Sequence, residues 1–326
     1  MTGLALVADV GGTNTRVGLA RDGAVAPDTV ARFANANFAD LPAVIAAYLA
    51  DRRPGPIGSA AAAVAGPVRD GAARLTNRDW AITRDDLARA TGAETVSILN
   101  DLQAQGHATD HLPADRLIPL IAGAPAGPNA AKLVIGVGTG FNIAPVFDTR
   151  AGRFVPPAEA GHVCLPVRND EDRRLSAYLA ERHGFPSVEE ALSGRGLGHL
   201  HGFLGGIAGR PAAEILADAA AGAALAVRTV RLFARLLAQH AGDLALTLLP
   251  FGGVYLTGGV ARALARWLAG PDVAAAFRDK GRFSDFMAAF GMAIINDDFA
   301  ALTGCAAHLE ILGRRPAMAA RFSRKS

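Results

Sequence analysis

A chain of 326 residues exceeds the roughly 250–300 residues at which one hydrophobic core stops growing, so two domains are expected, and a 51% hydrophobic content suffices for two cores. The net charge of +3 comes from scattered arginines; Lys132, Lys280 and Lys325 are the only lysines, which leaves no basic tract for nucleic acid and no G-x-x-x-x-G-K-[ST] phosphate loop. The apolar stretch 244–261 is broken by Pro250 and several glycines and so reads as strands and turns rather than a membrane span, and no signal-peptide pattern precedes "LALVADV", so a cytoplasmic protein is expected.

"LALVADV" (4–10) is an apolar run of strand length ended by Gly11 and Gly12, and "TRVGLA" (15–20) resumes the alternation. The pair predicts a hairpin, not the strand, glycine loop and helix of a dinucleotide fold, and the strand that follows "GVGTGF" (136–141) argues against an oxidoreductase. "LPAVIAAYLADRR" (41–53) has helical period, and "GSAAAAVAGPV" (58–68) is a small-residue strand closed by Gly66 and Pro67. "TRDDLARATG" (83–92) is a helix with Thr83 and Asp86 at capping-box spacing and Gly92 as its stop. "TVSILND" (95–101) is a buried strand with a polar end. After a stretch rich in proline, glycine and alanine (110–131), "KLVIGVGTGFNIAPVF" (132–147) repeats the opening design of strand, glycine turn and strand. "AVRTVRLFARLLAQH" (226–240) sets Val230, Phe233 and Leu237 against Arg228, Arg231 and Arg235, an amphipathic helix. "GGVYLTGGVARALARWL" (252–268) reads as strand, glycine turn and helix. The order of elements is α/β throughout, and two similar hairpins about a hundred residues apart point to two related halves. Cys164 and Cys305 lack metal-ligand spacing and are expected as reduced, buried thiols.

Successive backbone N–H groups pointing into a concavity can hold phosphate, and glycine lets a ligand approach the chain closely. Three strand-end turns have this chemistry: Gly11, Gly12, Thr13 and Asn14; Gly138, Thr139 and Gly140; and Gly258 with Gly259. Each alone also reads as an ordinary turn, in which glycine and asparagine supply the positive φ that hairpins favour. Asp9, at the end of a buried strand beside the first turn, would be costly without a partner, and Mg²⁺ on the phosphates supplies one. Asp101, at the end of "TVSILND", has the place of a general base facing a cleft; with Asn100 it equally fits a helix cap, and spacing leaves both readings open.

Glu159 and His162 in "EAGH" fall in a loop, since Pro156, Pro157 and Gly161 disfavour a helix. A carboxylate and an imidazole there offer acceptor and donor groups at fixed positions, or form a solvated pair. Ser187 and Glu190 have S-x-x-E spacing, which gives Glu190 a capping role. His199 and His201 in "GHLHG" are read as ordinary histidines.

The segments "DVGGTNTR", "SILNDLQA", "GVGTGF", "EAGH", "EEALSGRGL", "LTGGV" and "FRDKGRF" occur in the order and roughly the spacing found in bacterial glucokinases, and over nearly its whole length the chain resembles this branch of the hexokinase, sugar kinase, Hsp70 and actin superfamily. The resemblance implies two RNase H-like domains around a cleft, an actin-like ATPase fold, with residues 1–109 and 299–326 in a smaller domain and 110–298 in a larger one. It implies ATP-dependent phosphorylation of glucose, with Asp101 as the base and Asn100, Asp101, Glu159, His162, Glu189 and Asn77 as sugar ligands. ATP would lie against the three glycine turns, Mg²⁺ at Asp9, in a homodimer. A kinase for another hexose, or a sugar sensor on the same fold, is the alternative. The chain departs from the family at Asn142, where glycine is usual and where asparagine still tolerates left-handed geometry, and at Cys164 and Leu165 after "EAGH". The "FRDKGRF" segment carries no chemical role legible from its residues.

Overall fold

In the computed structural model, which describes residues 3–75 and 78–314, the apolar run Leu4–Val10 pairs antiparallel with Asn14–Arg21, in register from Ala5 opposite Ala20 to Val10 opposite Thr15. On its other edge Leu4–Val10 pairs parallel with Ile57–Val64, and that strand pairs parallel with Thr95–Asn100. Parallel strands are covered on both faces, which is why these segments are nearly continuous in apolar residues. Leu6, Ala8, Ala60 and Ala62 face a layer containing Leu41, Val44, Ile45 and Tyr48 of the helix Leu41–Arg52. Val7, Ala61 and Ala63 face Leu302, Cys305 and Leu309 of the helix Ala300–Arg314. Each fully buried leucine, isoleucine or valine contributes roughly 1.5–3 kcal/mol, and the alanines of the central strand allow close approach of the covering helices. The helix Ala300–Arg314 runs so near the helix Asp101–Ala108 that a Cβ on Gly304 would overlap the Ala104 carbonyl. Glycine at 304 therefore sets where the helix that begins with Asp101 lies.

The predicted local signals are met in this part of the chain. Thr83 Oγ1 accepts from the Asp86 N–H at 3.1 Å, the Asp86 carboxylate accepts from the Thr83 N–H at 3.3 Å, and Gly92 ends the helix Arg84–Thr91 in left-handed geometry.

A second sheet repeats the plan. Lys132–Val137 pairs antiparallel with Phe141–Thr149 and parallel with Val254–Thr257, which pairs parallel with Met292–Ile295. Hairpin, then two further parallel strands on the free edge of its first strand, is the same order as in the first sheet. The helix Ala224–Leu248 buries Val230, Phe233 and Leu237 as its pattern predicts, and runs eight residues beyond the predicted stretch. The single helix expected after Gly258 is instead two short ones, Gly259–Ala263 and Ala265–Leu268, parted at Leu264.

The described residues fall into two compact units, one within Met1–Leu112, Thr149–Val155 and Asp298–Ser326, the other within Pro113–Asp148 and Pro156–Asp297. The short segment Thr149–Val155, expected with the larger domain, falls in the first unit. Both cysteines are free; Cys305 is buried as expected, whereas Cys164 is exposed, because it follows the surface turn at His162 and pairs only through an isolated bridge to Ser187. The "FRDKGRF" segment has a structural duty: Lys280 Nζ is buried and donates to the Gln239 carbonyl at 2.9 Å and to Asp243 Oδ1 at 2.8 Å, tying the segment to the long helix.

Candidate active site

In the first unit, three parallel strands deliver their carboxyl ends to one edge of the sheet, the place where open α/β sheets bind ligands. Asp9 lies there one residue before the end of its strand, and Asn100 and Asp101 stand where Thr95–Asn100 passes into the helix Asp101–Ala108. Arg16, opposite Asp9 across the hairpin, donates to Asp9 Oδ2 at 3.0 Å. Burial raises the Asp9 pKa; Arg16 opposes that shift and Asp298 adds to it. Burial likewise pushes Asp101 up to about 6, against the Leu102 N–H, which donates to Asp101 Oδ1 at 2.9 Å, and with the charge of Asp9 adding to the rise. A carboxyl in that range is largely ionised at neutral pH yet basic enough to accept a proton.

Asn100 does cap the helix: its Oδ1 accepts from the Leu102 N–H at 3.0 Å, its own N–H donates to Gln103 Oε1 at 3.1 Å, and its Nδ2 donates to the Gly66 carbonyl at 3.1 Å. Of the two readings left open by spacing, capping thus falls to Asn100, and Asp101 is the first helical residue.

The first turn closes through the Gly11 N–H on the Asn14 carbonyl at 3.0 Å, with Gly12 and Thr13 between. Its brace is Asn35, fully buried and 24 residues from Gly11: Nδ2 donates to the Gly11 carbonyl at 2.7 Å, Oδ1 accepts from Thr15 Oγ1 at 2.8 Å, and the Asn35 N–H donates to the Thr13 carbonyl at 2.9 Å. None of Gly11, Gly12 and Asn14 takes a left-handed φ, contrary to the turn geometry expected from the sequence. The conformation is set by the Asn35 contacts rather than by the intrinsic preferences of the turn residues.

In the second unit, the turn of Gly138, Thr139 and Gly140 closes through the Gly138 N–H on the Gly140 carbonyl at 3.0 Å. Parallel pairing of Gly136 with Thr257 places this turn beside the third one, where Gly258 has φ +102° and a Cβ would overlap the Val137 carbonyl; only glycine fits. Glu189 Oε2 accepts from the Phe141 N–H at 2.8 Å, just past the second turn, and its other oxygen pairs with Arg195. Asn142 is a strand residue without left-handed geometry, so its tolerance of that geometry is not what preserves the turn. Its Oδ1 accepts from the Ala160 N–H at 3.0 Å and its Nδ2 reaches Glu159 Oε2 at 3.3 Å, which fastens the "EAGH" segment to the hairpin. Glu159 precedes the one-turn 3₁₀ segment Ala160–His162 and His162 ends it, both exposed.

A cavity of about 570 Å³ opens against the second and third turns, walled by Gly138, Thr139, Gly259, Arg195, His199 and Arg210 among others. That volume suits a small-molecule ligand, commonly held in pockets of about 300–1,000 Å³. Another cavity of about 530 Å³, beside Arg228, Arg235 and Trp267, contains none of the expected site residues.

Ser187 Oγ caps its helix through the Glu190 N–H at 3.3 Å, as the spacing predicts. The Glu190 carboxylate does not complete the box: the Ser187 N–H donates to the Phe185 carbonyl, and Glu190 faces Arg195, His183 and His199 instead. His201 is buried beside Thr229 Oγ1 at 3.3 Å, an ordinary core histidine. Asn77 lies outside the described residues. Asn35, Arg16 and Arg195 carry no signal in the sequence, because each acts on a partner that pattern does not place beside it.

The sequence profile of the Glucokinase family matches residues 6–311. The chain is 36% identical to the glucokinase of Ralstonia nicotianae, over 93% of this chain and 94% of that one. Its structure is similar to the crystal structure of glucokinase from an Antarctic psychrotroph, with a TM-score of 0.86, 29% identity and coverage of 95% of this chain and 99% of the other. A fold likeness extends to Balamuthia mandrillaris glucokinase in complex with glucose, at a TM-score of 0.74 and 22% identity, covering 93% of this chain and 92% of that one. No helix among the described residues is long and apolar enough to cross a membrane. Two glycine-turned hairpins on repeated sheets, a partly buried aspartate at a strand end and a match along nearly all of the sequence have one common account: the chain belongs to the glucokinase family.

Proposed function

We propose that this protein transfers the γ-phosphoryl group of ATP to the 6-hydroxyl of glucose, with Asp101 as the general base. The observation that carries the reading is Asp101 itself: a carboxylate at the carboxyl end of parallel strands, fixed by the helix it begins and raised by burial to about 6. Asp101 accepts the hydroxyl proton as the sugar oxygen attacks, which such placement accelerates by typically 10²–10⁴-fold. Glu159, His162, Glu189 and Asn100 are assigned to the sugar hydroxyls, with Asn77 on the strength of the resemblance. The backbone amides of Gly11–Asn14 and of Gly138, Thr139 and Gly140 are assigned to the phosphates, and Gly258 and Gly259 to the adenosine.

Asp9 is the residue assigned to Mg²⁺, through water. The donor set fits: Arg16 holds Oδ2, Oδ1 remains an acceptor, and the repulsion of Asp9 with Asp298 and with Asp101 is what a divalent cation relieves. When bound, Mg²⁺ neutralises phosphate charge during transfer. We read the two units as the two domains of an actin-like ATPase fold, each with an RNase H-like sheet; the support is the strand order that they share. A cytoplasmic homodimer completes the reading, and sedimentation velocity checks the assembly.

The test is a coupled assay of ADP release against a panel of hexoses, run with wild type and Asp101→Asn. Glucose as the preferred acceptor, with turnover lost in the variant while glucose still binds, supports the proposal. Preference for another hexose replaces the acceptor, and undiminished turnover in Asp101→Asn removes the base. Sugar binding without turnover in the wild type favours a sensor.

A further inference from the structure

Beside the candidate nucleotide pocket, three side chains with metal-ligand chemistry meet that the phosphoryl-transfer reading does not use. His183 is the last residue of the helix Asp170–His183, Glu190 lies in the short helix Val188–Ala191, and His199 lies in the helix Gly194–Phe203. Gly184, in left-handed geometry with φ +76°, turns the chain back after His183. One ligand atom from each residue lies within 4.8 Å of those of the other two.

The local bonding leaves this group open. Arg195 takes Glu190 Oε1 at 3.3 Å, whereas Oε2 is buried without a hydrogen-bond partner and faces the two imidazoles, 3.3 Å from His199 Nδ1 and 3.7 Å from His183 Nδ1. The rings themselves stand face to face, with centroids 4.4 Å apart and planes tilted by 35°. A buried carboxylate oxygen without a donor is costly. A cation among the three satisfies all of them at once. Ligands about 2.1 Å from a tetrahedral metal stand about 3.4 Å apart, close to the 3.7 Å between Glu190 Oε2 and His183 Nδ1. His199 Nδ1 also lies 2.8 Å from the Glu190 backbone carbonyl. Donation to that carbonyl leaves the lone pair on Nε2, the tautomer and the kind of outer partner that metal-bound histidines commonly have.

We propose that His183, Glu190 and His199 form a binding site for a divalent transition-metal ion of the Zn²⁺ class, separate from the Mg²⁺ site assigned to Asp9. Two imidazoles and one carboxylate suit Zn²⁺, Co²⁺ or Ni²⁺ and disfavour Mg²⁺, which prefers oxygen donors. The ion clamps the end of the helix Asp170–His183 to the helix that carries the pocket residue His199, and three protein ligands leave one coordination position for water.

The experiment uses the full chain stripped with EDTA and held in excess Mg²⁺, so that oxygen-rich sites are occupied. Zn²⁺ binding is measured by calorimetry and metal content after dialysis, and Co²⁺ by its visible spectrum. Wild type is expected to bind one equivalent of Zn²⁺, to gain about 5 °C in Tm at a hundredfold excess over Kd, and to give the intense Co²⁺ bands of a four-coordinate site. His183→Ala, at an exposed position, and Glu190→Gln are each expected to weaken binding at least tenfold, with metal-free Tm as the check on folding. Absence of saturable Zn²⁺ binding by wild type overturns the proposal, and so does Zn²⁺ bound equally well by His183→Ala, which places the metal elsewhere.

Discussion

Glu189 accepts a hydrogen bond at 2.8 Å from the backbone N–H of Phe141, 48 residues away, and so holds the strand that leaves the second glycine turn. A carboxylate assigned to the sugar is thereby also a brace for the proposed phosphate turn. A charged hydrogen bond of this kind contributes about 1.5–3 kcal/mol, so Glu189→Ala is expected to raise KM for ATP as well as for glucose, each by about tenfold or more. Initial-rate kinetics with either substrate varied checks this. A rise in the glucose KM alone means that the carboxylate acts only on the sugar.

Asp101 gives a pH dependence of known sign. Its folded-state pKa is raised, so the folded protein binds the extra proton between the ordinary aspartate range and about pH 6, and stability falls as pH rises through that window. Asp101→Asn keeps an oxygen for the Leu102 N–H and removes the charge; at pH 7 it is expected to be more stable than wild type by up to about 3 kcal/mol while losing at least about a hundredfold in kcat. In wild type, kcat/KM is expected to rise with pH through an inflection near 6 in the free enzyme. Denaturant titration and a pH–rate profile measure the two effects separately.

Asn35 is the residue on which the first turn depends. Asn35→Ala leaves the Gly11 carbonyl and Thr15 hydroxyl without their buried partner, at a cost of about 2–3 kcal/mol, and loosens the turn assigned to phosphate. Lower stability together with a raised KM for ATP is the expected result. Lower stability with an unchanged KM separates this brace from nucleotide binding.

His240 titrates in the opposite sense. It is buried in the long helix against the Phe141 ring, its ring nitrogens have no hydrogen-bond partner, and burial holds its pKa down to about 4, with Asp243 opposing the shift and Lys280 adding to it. The unfolded chain binds the proton first, so this contribution to stability is lost as pH falls from about 6.5 to about 4, by up to about 3 kcal/mol. His240→Leu is expected to lose that slope; comparing wild type and variant across the range isolates it from the opposing contribution of Asp101.

Much of the fold is legible locally. The hairpins follow from apolar runs interrupted by glycine, and the Thr83–Asp86 box and Gly92 stop follow from side-chain hydrogen bonding and left-handed tolerance within a few residues. The helix around Val230 extends past its predicted end, and the one after Gly258 breaks at Leu264, because periodicity specifies a buried face better than the bounds of a helix.

The sequence by itself determined the order of elements, the repeated hairpin plan, the glycine turns and the aspartates at strand ends, since each rests on residues near one another in the chain. Tertiary structure decided what holds those turns in shape and tunes those aspartates. Asn35 under the first turn, Glu189 behind the second, Arg16 across from Asp9 and the burial that raises Asp101 all depend on packing that no local spacing records. A hydrogen bond across 48 residues and the desolvation of a carboxylate exist only once the chain has closed around them.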